Sequence, residues 1–182
     1  MRLTRTILLA ASTALALAAC EKQADQATSP AAKEAAGDET LAKGIPADSK
    51  MGAALKAAGL DATLAGPGPY TVLAPDDAAF DKMPAGALDT LMKPEARADL
   101  TALLTYHILP GTILAEDIGK AIDAGKGKAG LATMGGGTLT ATKEGDAIVI
   151  ADAAGGKARI TKSDDKRSNG VIHHVDAVLM PS

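Results

Sequence analysis

The chain has 182 residues, a formal net charge of −3 at pH 7 and 23% charged residues. It contains no Trp, two Tyr and one Phe, so any core must be built mainly from aliphatic side chains. A slightly acidic chain without basic clusters or stacking aromatic residues lacks the features of nucleic-acid-binding proteins, and we expect no nucleic-acid partner. Its single cysteine excludes an intramolecular disulfide.

The first twenty residues are typical of a secretion signal. Two arginines precede an apolar run from Ile7 to Ala19, which is shorter than the roughly 20 apolar residues that cross a bilayer. Residues 17–20, Leu-Ala-Ala-Cys, resemble the bacterial lipobox, which implies cleavage before Cys20 and attachment of acyl chains such as palmitate to that cysteine. An ordinary secretion signal with an incidental cysteine is the alternative.

We therefore predict a lipoprotein signal peptide over residues 1–19 and lipid attachment at Cys20. Two or more acyl chains hold a protein firmly on a membrane, whereas a single chain binds reversibly. The expected location is the bacterial cell envelope, on the outer membrane or the periplasmic face. The membrane is expected as a partner only through this N-terminal lipid.

Residues 20–43 join the predicted lipid anchor to the rest of the chain. Leu41 is the one large apolar residue in this stretch after Cys20, so the stretch lacks the apolar surface that would offset the loss of chain entropy on folding. We predict that it forms a flexible stalk. Residues 44–182 have the composition and length of a single globular domain.

The first part of this domain shows helical patterns, with strand-like segments at Tyr70–Leu73 and Tyr106–Leu109. Ser49 can cap a helix over Lys50–Ala58 that stops at Gly59. Further helices are predicted after Asp76 or Asp77, after Pro94, and over Ala115–Ala124.

Beyond Gly125 the pattern changes to short strands separated by glycine-rich turns. The predicted strands are Lys128–Met134, Thr138–Thr142, Ala147–Ala151, Ala158–Thr161 and Val171–Leu179. The dipeptide Asn169-Gly170 is typical of a type I′ turn before the last of them. Helices and early strands followed by a run of hairpins predict an α+β domain.

Three motifs, in this order, resemble the signature blocks of the fasciclin (FAS1) family. They are Gly-Pro-Tyr-Thr-Val-Leu-Ala-Pro-Asp-Asp-Ala-Ala-Phe at 68–80, Tyr-His-Ile-Leu-Pro-Gly at 106–111, and Asn-Gly-Val-Ile-His-His-Val-Asp-Ala-Val-Leu-Met-Pro at 169–181. The family often has Phe at the position of Leu73. Asp164 corresponds to the acidic residue that usually precedes the last block of the family. The motif residues carried over are Tyr70, Thr71, Pro75, Phe80, Tyr106, His107, Asn169, Gly170, His173 and Asp176.

The resemblance implies a compact β-sandwich or wedge with several helices packed along one edge. It also implies a function in adhesion or matrix interaction, with an unidentified envelope or extracellular protein or glycan as partner, or a second copy of the chain. The Tyr-His segment is linked to adhesion in animal members of the family, although burial of the same residues would explain loss of binding on mutation equally well. An interaction module on a stalk also predicts an exposed apolar patch.

Two acidic residues follow Pro75 at the start of a predicted helix. Asp76 and Asp77 could form a carboxylate pair for acid–base chemistry, but their position favours helix capping. Elsewhere the chain has no nucleophile elbow and no glycine-rich phosphate loop ending in Gly-Lys-Ser/Thr. We therefore expect a protein that is not an enzyme and that has no cofactor.

The three histidines suggest a metal site as a further hypothesis. On a strand His173 and His174 point to opposite faces, so they cannot readily share one ion. His174 and Asp176 share a face, and His107 could approach one of the pair, which gives an incomplete site. We favour one buried, hydrogen-bonded histidine and one surface histidine, with no bound metal.

Two alternatives to adhesion therefore remain open. Some fasciclin-like proteins carry carotenoids, and a groove lined by small aliphatic residues would bind or carry a lipid or a similar apolar ligand at the envelope. The other alternative is enzymatic or metal-dependent action through His107 and the histidine pair.

Overall fold

A computed structural model of the chain describes residues 38–181. The predicted signal peptide, Cys20 and most of the predicted stalk lie outside these residues. No helix within 38–181 combines the length and the apolar character that crossing a bilayer requires.

Short helices dominate the first half of the described chain. The α-helices are α1 (Leu41–Gly44), α2 (Lys50–Ala58), α3 (Asp61–Ala65), α4 (Asp77–Asp81), α5 (Ala87–Leu91), α6 (Arg97–Tyr106) and α7 (Ala115–Ala124), and a 3₁₀ turn spans Pro94–Ala96. The bounds predicted for α2 and α7 are confirmed. Helix α2 has the predicted caps: the Ser49 hydroxyl accepts a hydrogen bond from the Gly52 N–H, and Gly59 ends the helix in the left-handed region at φ 78°.

Seven strands form one sheet that curls towards closure. They are β1 (Tyr70–Pro75), β2 (Ile108–Pro110), β3 (Lys128–Ala132), β4 (Thr138–Glu144), β5 (Ala147–Ala151), β6 (Lys157–Arg167) and β7 (Gly170–Val175), in the spatial order β2-β1-β7-β6-β5-β4-β3. Every neighbouring pair is antiparallel except β1 and β7, which run parallel. The two ends of this order approach each other, because Met134 N–H, just after β3, bonds to Ile108 O in β2 at 2.8 Å.

Two apolar cores lie on opposite sides of β1 and β7. Alternation along β1 places Val72 and Ala74 in a core shared with the helices α1–α6, and Leu73 in a second core inside the curled sheet. Helix α7 contributes Ile118 and Ile122 to the second core. The α+β class is thus confirmed, with α1–α6 packed against one side of a strongly curved sheet and α7 packed in the core on its other side.

Only the predicted strand Ala147–Ala151 has the observed bounds. The ends predicted for β1, β3 and β4 are each wrong by two residues, and the other three strand predictions need larger corrections. Tyr106 is the last residue of α6, and β2 begins only at Ile108. Strand β6 continues past Thr161 to Arg167, because it pairs with β7 across two register shifts that no simple alternation can express. Strand β7 ends at Val175, and the chain continues to Pro181 without sheet pairing.

The turn between β6 and β7 also differs from the prediction. Arg167 pairs with Gly170, so the two turn residues are Ser168 and Asn169 rather than Asn169 and Gly170. Neither has a positive φ, which a type I′ turn would require at both positions. The Asn169 side chain is directed instead at other segments of the chain.

The folded domain begins before residue 44, which corrects the predicted boundary of the stalk. Leu41 is completely buried in the helix-side core, and its N–H donates to Asn169 Oδ1 at 2.7 Å. Glu39 forms an ion pair with Arg167 at 3.0 Å. An isolated leucine in a polar stretch gives no sequence signal of its burial, and its hydrogen-bond partner Asn169 lies 128 residues further along the chain.

Candidate functional site

The three sequence motifs meet at the strand pairs β2-β1-β7. Strand β1, from the first motif, lies between the Tyr-His segment and the last motif, so that Tyr70 pairs with Pro110 on one side and with Gly170 on the other. The sequence identified the three motifs but did not predict that they are neighbours in the sheet. Two parallel strands about 100 residues apart leave no local sequence pattern that shows their pairing.

His107 is a buried connector between helix α6 and the C-terminal segment. Its Nδ1 lies 2.8 Å from Leu103 O and its Nε2 lies 3.0 Å from Leu179 N. A neutral ring with the proton on Nδ1 satisfies both bonds, donating to the carbonyl and accepting from the amide. Burial lowers the pKa of His107 to about 4, against the opposing effects of the Leu103 bond and the charge of Asp152.

His173 connects β7 to a bulge in β6 and to the loop after β2. Its Nδ1 accepts from Asp164 N–H at 3.2 Å, and its Nε2–H donates to Ile113 O at 2.8 Å. Desolvation by burial lowers the pKa of His173, because the charged ring would be held away from water. Asp164, at φ 59°, accepts from Ala115 N–H at 2.9 Å and so also holds the start of α7.

Thr71 fixes the same loop from β1. Its hydroxyl donates to Gly111 O at 2.7 Å and accepts from Ile113 N–H at 2.9 Å. Thr71 and His173 together therefore hold both the amide and the carbonyl of Ile113. These motif residues position a loop, and the polar atoms that do so are already paired.

Asn169 joins three separate segments through its side-chain amide. The oxygen accepts from Leu41 N–H, and the nitrogen donates to Leu64 O at 2.8 Å and to Gly66 O at 2.7 Å. The neighbouring Gly170 leaves no room for a side chain, because a Cβ there would overlap Tyr70 O. Gly170 therefore lets β7 approach β1 closely, and Asn169 joins three segments through hydrogen bonds. Neither function was predicted when the pair was interpreted as a turn.

Tyr106 is buried beneath the loop between β3 and β4. A Cβ on Gly137 would overlap its ring, so this glycine is needed for the loop to pack. The Tyr106 hydroxyl is buried and has no hydrogen-bond partner among the described residues. The ring therefore serves as an apolar support in the sheet-side core.

The two aspartates after Pro75 do not cap their own helix. Asp76 stands at the N-cap position of α4 but makes no side-chain capping bond, and its Oδ1 lies 3.3 Å from His174 Nδ1. The Asp77 carboxylate accepts from the N–H of Lys50, the first residue of α2, at 2.8 Å. The predicted capping is wrong for Asp76, and Asp77 serves a different helix from the expected one.

The remaining motif residues also have structural positions. Pro75 ends β1 opposite Val175, Phe80 is buried in the helix-side core, and Tyr70 is half-buried at the edge of that core. Asp176 Oδ1 accepts from Arg159 N–H at 2.7 Å, so it does not share a site with His174.

A metal site on the histidines lacks suitable ligands. Both ring nitrogens of His107 and of His173 are within hydrogen-bond distance of protein groups. Among residues 38–181, no three His, Cys, Asp or Glu side chains are placed to hold an ion.

Sequence reasoning missed one buried carboxylate that holds the C-terminal segment. Asp152 accepts from Gly156 N–H at 2.7 Å through Oδ1 and from Met180 N–H at 2.9 Å through Oδ2. An aspartate before Gly-Gly suggests only a turn, so its link to residue 180 had no signal in the sequence.

Two large apolar side chains are exposed within the described chain. Met134 is 44% exposed and Met180 is 43% exposed. Met134 is hydrogen-bonded to Ile108, and the residue before Met180 is hydrogen-bonded to His107. We call these two residues the methionine surface. The backbone at Met134, and that of the residue before Met180, is thus hydrogen-bonded to the Tyr-His segment.

The sequence is similar to proteins of one family. The sequence model of the Fasciclin domain matches residues 47–181. Over 148 residues the chain is 38% identical to Protein sll1483 of Synechocystis sp., a match that covers 81% of this chain and 71% of that protein. Over 130 residues it is 42% identical to the transforming growth factor-beta-induced protein ig-h3 of Sus scrofa, covering 71% of this chain but only 17% of that much longer protein.

A solved structure shows the same fold. It is a FAS1 domain pair from the insect cell adhesion molecule fasciclin I, with a TM-score of 0.50 and 20% identity over 70% of this chain and 40% of that chain. The family model and the cyanobacterial protein each match most of the chain, and the matched span contains all three motifs. The chain belongs to the fasciclin domain family.

Proposed function

We propose that this chain is a lipid-anchored protein of the bacterial cell envelope whose fasciclin domain binds another macromolecule in adhesion or matrix interaction. Family membership supports this proposal, since fasciclin I is a cell adhesion molecule and carries the same fold. The partner we expect is an envelope or extracellular protein or glycan, or a second copy of this chain.

The observation that carries the proposal is the inward direction of the motif residues. Thr71, His107, His173 and Asn169 all use their polar atoms within the domain. A catalytic group must be free to reach a substrate, and these groups are occupied in holding loops and strands. The part left to act on a partner is therefore the outer surface.

The methionine surface is the best candidate contact on that exterior. Methionine side chains are flexible and polarisable, so they adapt to different partners, and they are enriched at protein interfaces. The backbone at both positions is fixed by hydrogen bonds. Rigid attachment lowers the ordering cost of binding, which favours a useful affinity from a small contact.

A pull-down from native envelope extract tests this function. The bait should be residues 38–182, because a bait beginning at residue 44 would lack the buried Leu41. Bound material is analysed by mass spectrometry for protein, glycan and lipid. We expect a specific macromolecule that is retained by the parent and reduced at least about tenfold by the double substitution Met134→Glu and Met180→Glu.

The matched control is Ala85→Glu with Ala98→Glu, which adds the same two charges at exposed positions on the helical side. It should retain the partner as well as the parent does, and all variants should unfold at similar urea concentrations. If the parent retains no macromolecule, the proposed binding function is contradicted. If the methionine variant binds as strongly as the parent, the methionine surface is not the binding site.

The lipid anchor is tested separately by mass and fractionation. The mature protein from its native host should begin at Cys20 and carry the added mass of its acyl chains, and it should remain with the membranes. Cys20→Ser should remove both the added mass and the membrane attachment. Soluble, unmodified protein cut elsewhere would contradict the anchor and would leave the adhesion proposal standing.

A further inference from the structure

A groove on the helical side of the domain has no residue of the three motifs in its lining. It is bounded by α1, the loop that follows it, α2 and α3, and it has a volume of about 310 Å³. We call it the helix groove. Its lining residues are Thr40, Ala42, Lys43, Ile45, Ala47, Gly52, Leu55, Lys56, Asp61, Ala62 and Ala65.

The inside of the helix groove is apolar and narrow. Ile45 and Leu55 are buried members of the helix-side core and form its floor. Four of the lining residues are alanines, which leave open the space that larger side chains would fill. At Gly52 the loop lies against α2 so closely that a Cβ would overlap Pro46 O, and this contact fixes one wall. A volume of this size is at the lower end of small-molecule sites.

The rim of the helix groove carries more positive than negative charge. Lys43 and Lys56 line it together with one carboxylate, Asp61. None of the ion pairs among residues 38–181 includes any of these three side chains. Two ammonium groups beside an apolar slot, on a chain with a net charge of −3, favour an anionic head group at this place.

We propose that the helix groove binds a long-chain fatty acid. The hydrocarbon chain lies between α2 and α3 on Ile45 and Leu55, and the carboxylate is held by Lys43 and Lys56. Each methylene group removed from water adds to the affinity, so binding strengthens with chain length until the groove is filled. The proposal uses residues that the adhesion contact does not, and it stands or fails independently of that function.

Competition with a fluorescent fatty acid tests the proposal. The protein is residues 21–182, which contain every described residue, and the probe is a dansylated undecanoic acid. Palmitate should displace the probe at low micromolar concentration, below the range in which it aggregates, and shorter acids should displace it progressively less well. Hexadecanol has the same chain without the carboxylate, so it separates the apolar part of recognition from the charged part.

Three variants assign the binding to this groove. Ala62→Trp fills the groove from an exposed position in the first turn of α3 and should weaken palmitate and hexadecanol alike by at least about tenfold. Lys43→Glu with Lys56→Glu should weaken palmitate about tenfold and leave hexadecanol unchanged. Lys126→Glu with Lys128→Glu, an equal change of four charges at two exposed positions just before and at the start of β3, should bind as the parent does.

Several results would overturn the proposal. Palmitate that does not displace the probe, or that binds Ala62→Trp as tightly as the parent, would show that the groove is not a fatty-acid site. If the double lysine reversal leaves the palmitate affinity unchanged, Lys43 and Lys56 do not bind the carboxylate. A parent dimer that Ala62→Trp dissociates, with no effect of palmitate, would instead assign the groove to a second copy of this chain.

Discussion

The neighbouring histidines at the end of β7 show how strand geometry divides one residue type between two environments. His173 is fully buried and both its ring nitrogens are bonded to backbone groups. The His174 side chain is 25% exposed and faces Asp76 at 3.3 Å. Removing a buried group leaves its former partners unpaired, whereas removing an exposed one lets water replace it.

We therefore predict very different costs for two substitutions at adjacent positions. His173→Ala leaves the Asp164 N–H and the Ile113 carbonyl without partners and should lower the free energy of unfolding by about 2–4 kcal/mol. His174→Ala should lower it by less than about 1 kcal/mol, because water can replace its exposed hydrogen bond to Asp76. Urea unfolding followed by circular dichroism measures both, and equal costs would contradict the structural function of His173.

The opposite directions of these two side chains followed from the sequence, but their partners did not. Alternation along a strand predicted one buried and one surface histidine, which the structure confirms. The bonds of His173 to Asp164 and Ile113 depend on a β-bulge and on a loop from another part of the chain. The three bonds of Asn169 escaped prediction for the same reason, since they arise only when distant segments pack.

At the scale of elements, the short helix α1 belongs to the domain although its sequence resembles a stalk. A helix of four residues has almost no stability of its own, so it forms because Leu41 is buried and because its N–H bonds to Asn169. Arg167 supports the same region through its ion pair with Glu39. Tertiary contacts here outweigh a weak local preference.

Shortening the chain past this helix should be costly. Leu41→Ala should destabilise the domain by about 2–5 kcal/mol, the usual cost of removing a buried leucine. A chain beginning at residue 44 should lose at least as much as Leu41→Ala does. Lys43→Ala is the control and should stay within about 0.5 kcal/mol, because Lys43 is exposed. A chain from residue 44 as stable as one from residue 38 would show that α1 is dispensable.

Elements with a regular pattern were predictable, and irregular ones were not. The helices Lys50–Ala58 and Ala115–Ala124 and the strand Ala147–Ala151 have the predicted bounds. The second half of β6, Lys162–Arg167, is highly charged and crosses register shifts, so it gave no strand signal. These residues form a strand because their backbone pairs with β7. The sequence of β6 alone does not show this pairing.

At the scale of the whole molecule, acid should weaken the fold through its buried histidines. The folded protein keeps His107 neutral down to about pH 4, while the unfolded chain takes up a proton below its ordinary pKa of 6.5. The unfolded state therefore binds more protons as the pH falls through this range. The stability from His107 is complete above pH 6.5 and decreases towards pH 4 by about 3 kcal/mol. The lowered pKa of His173 acts in the same direction.

Urea unfolding at a series of pH values between 4.5 and 7.5 checks this prediction. The free energy of unfolding of the parent should fall with pH over this window. His107→Gln can still offer a donor and an acceptor but does not titrate, so it should show a shallower slope even if it is less stable at neutral pH. A slope unaffected by His107→Gln would mean that other groups cause the acid sensitivity.

The parallel pairing of β1 with β7 also determines how the domain responds to tension. Under the proposed function, the chain would be anchored on its N-terminal side and bound at Met180. Tension that passed the helices α1–α3 would then pull β1 by its first residue and β7 by its last. In a parallel pair these two forces slide the strands along each other, so the hydrogen bonds over six paired positions, from Tyr70–Gly170 to Pro75–Val175, share the load at once. An antiparallel hairpin pulled at one end would open bond by bond. The strand arrangement that joins the motifs is thus also one that would share a shear load over the whole strand pair if the domain holds a partner as proposed.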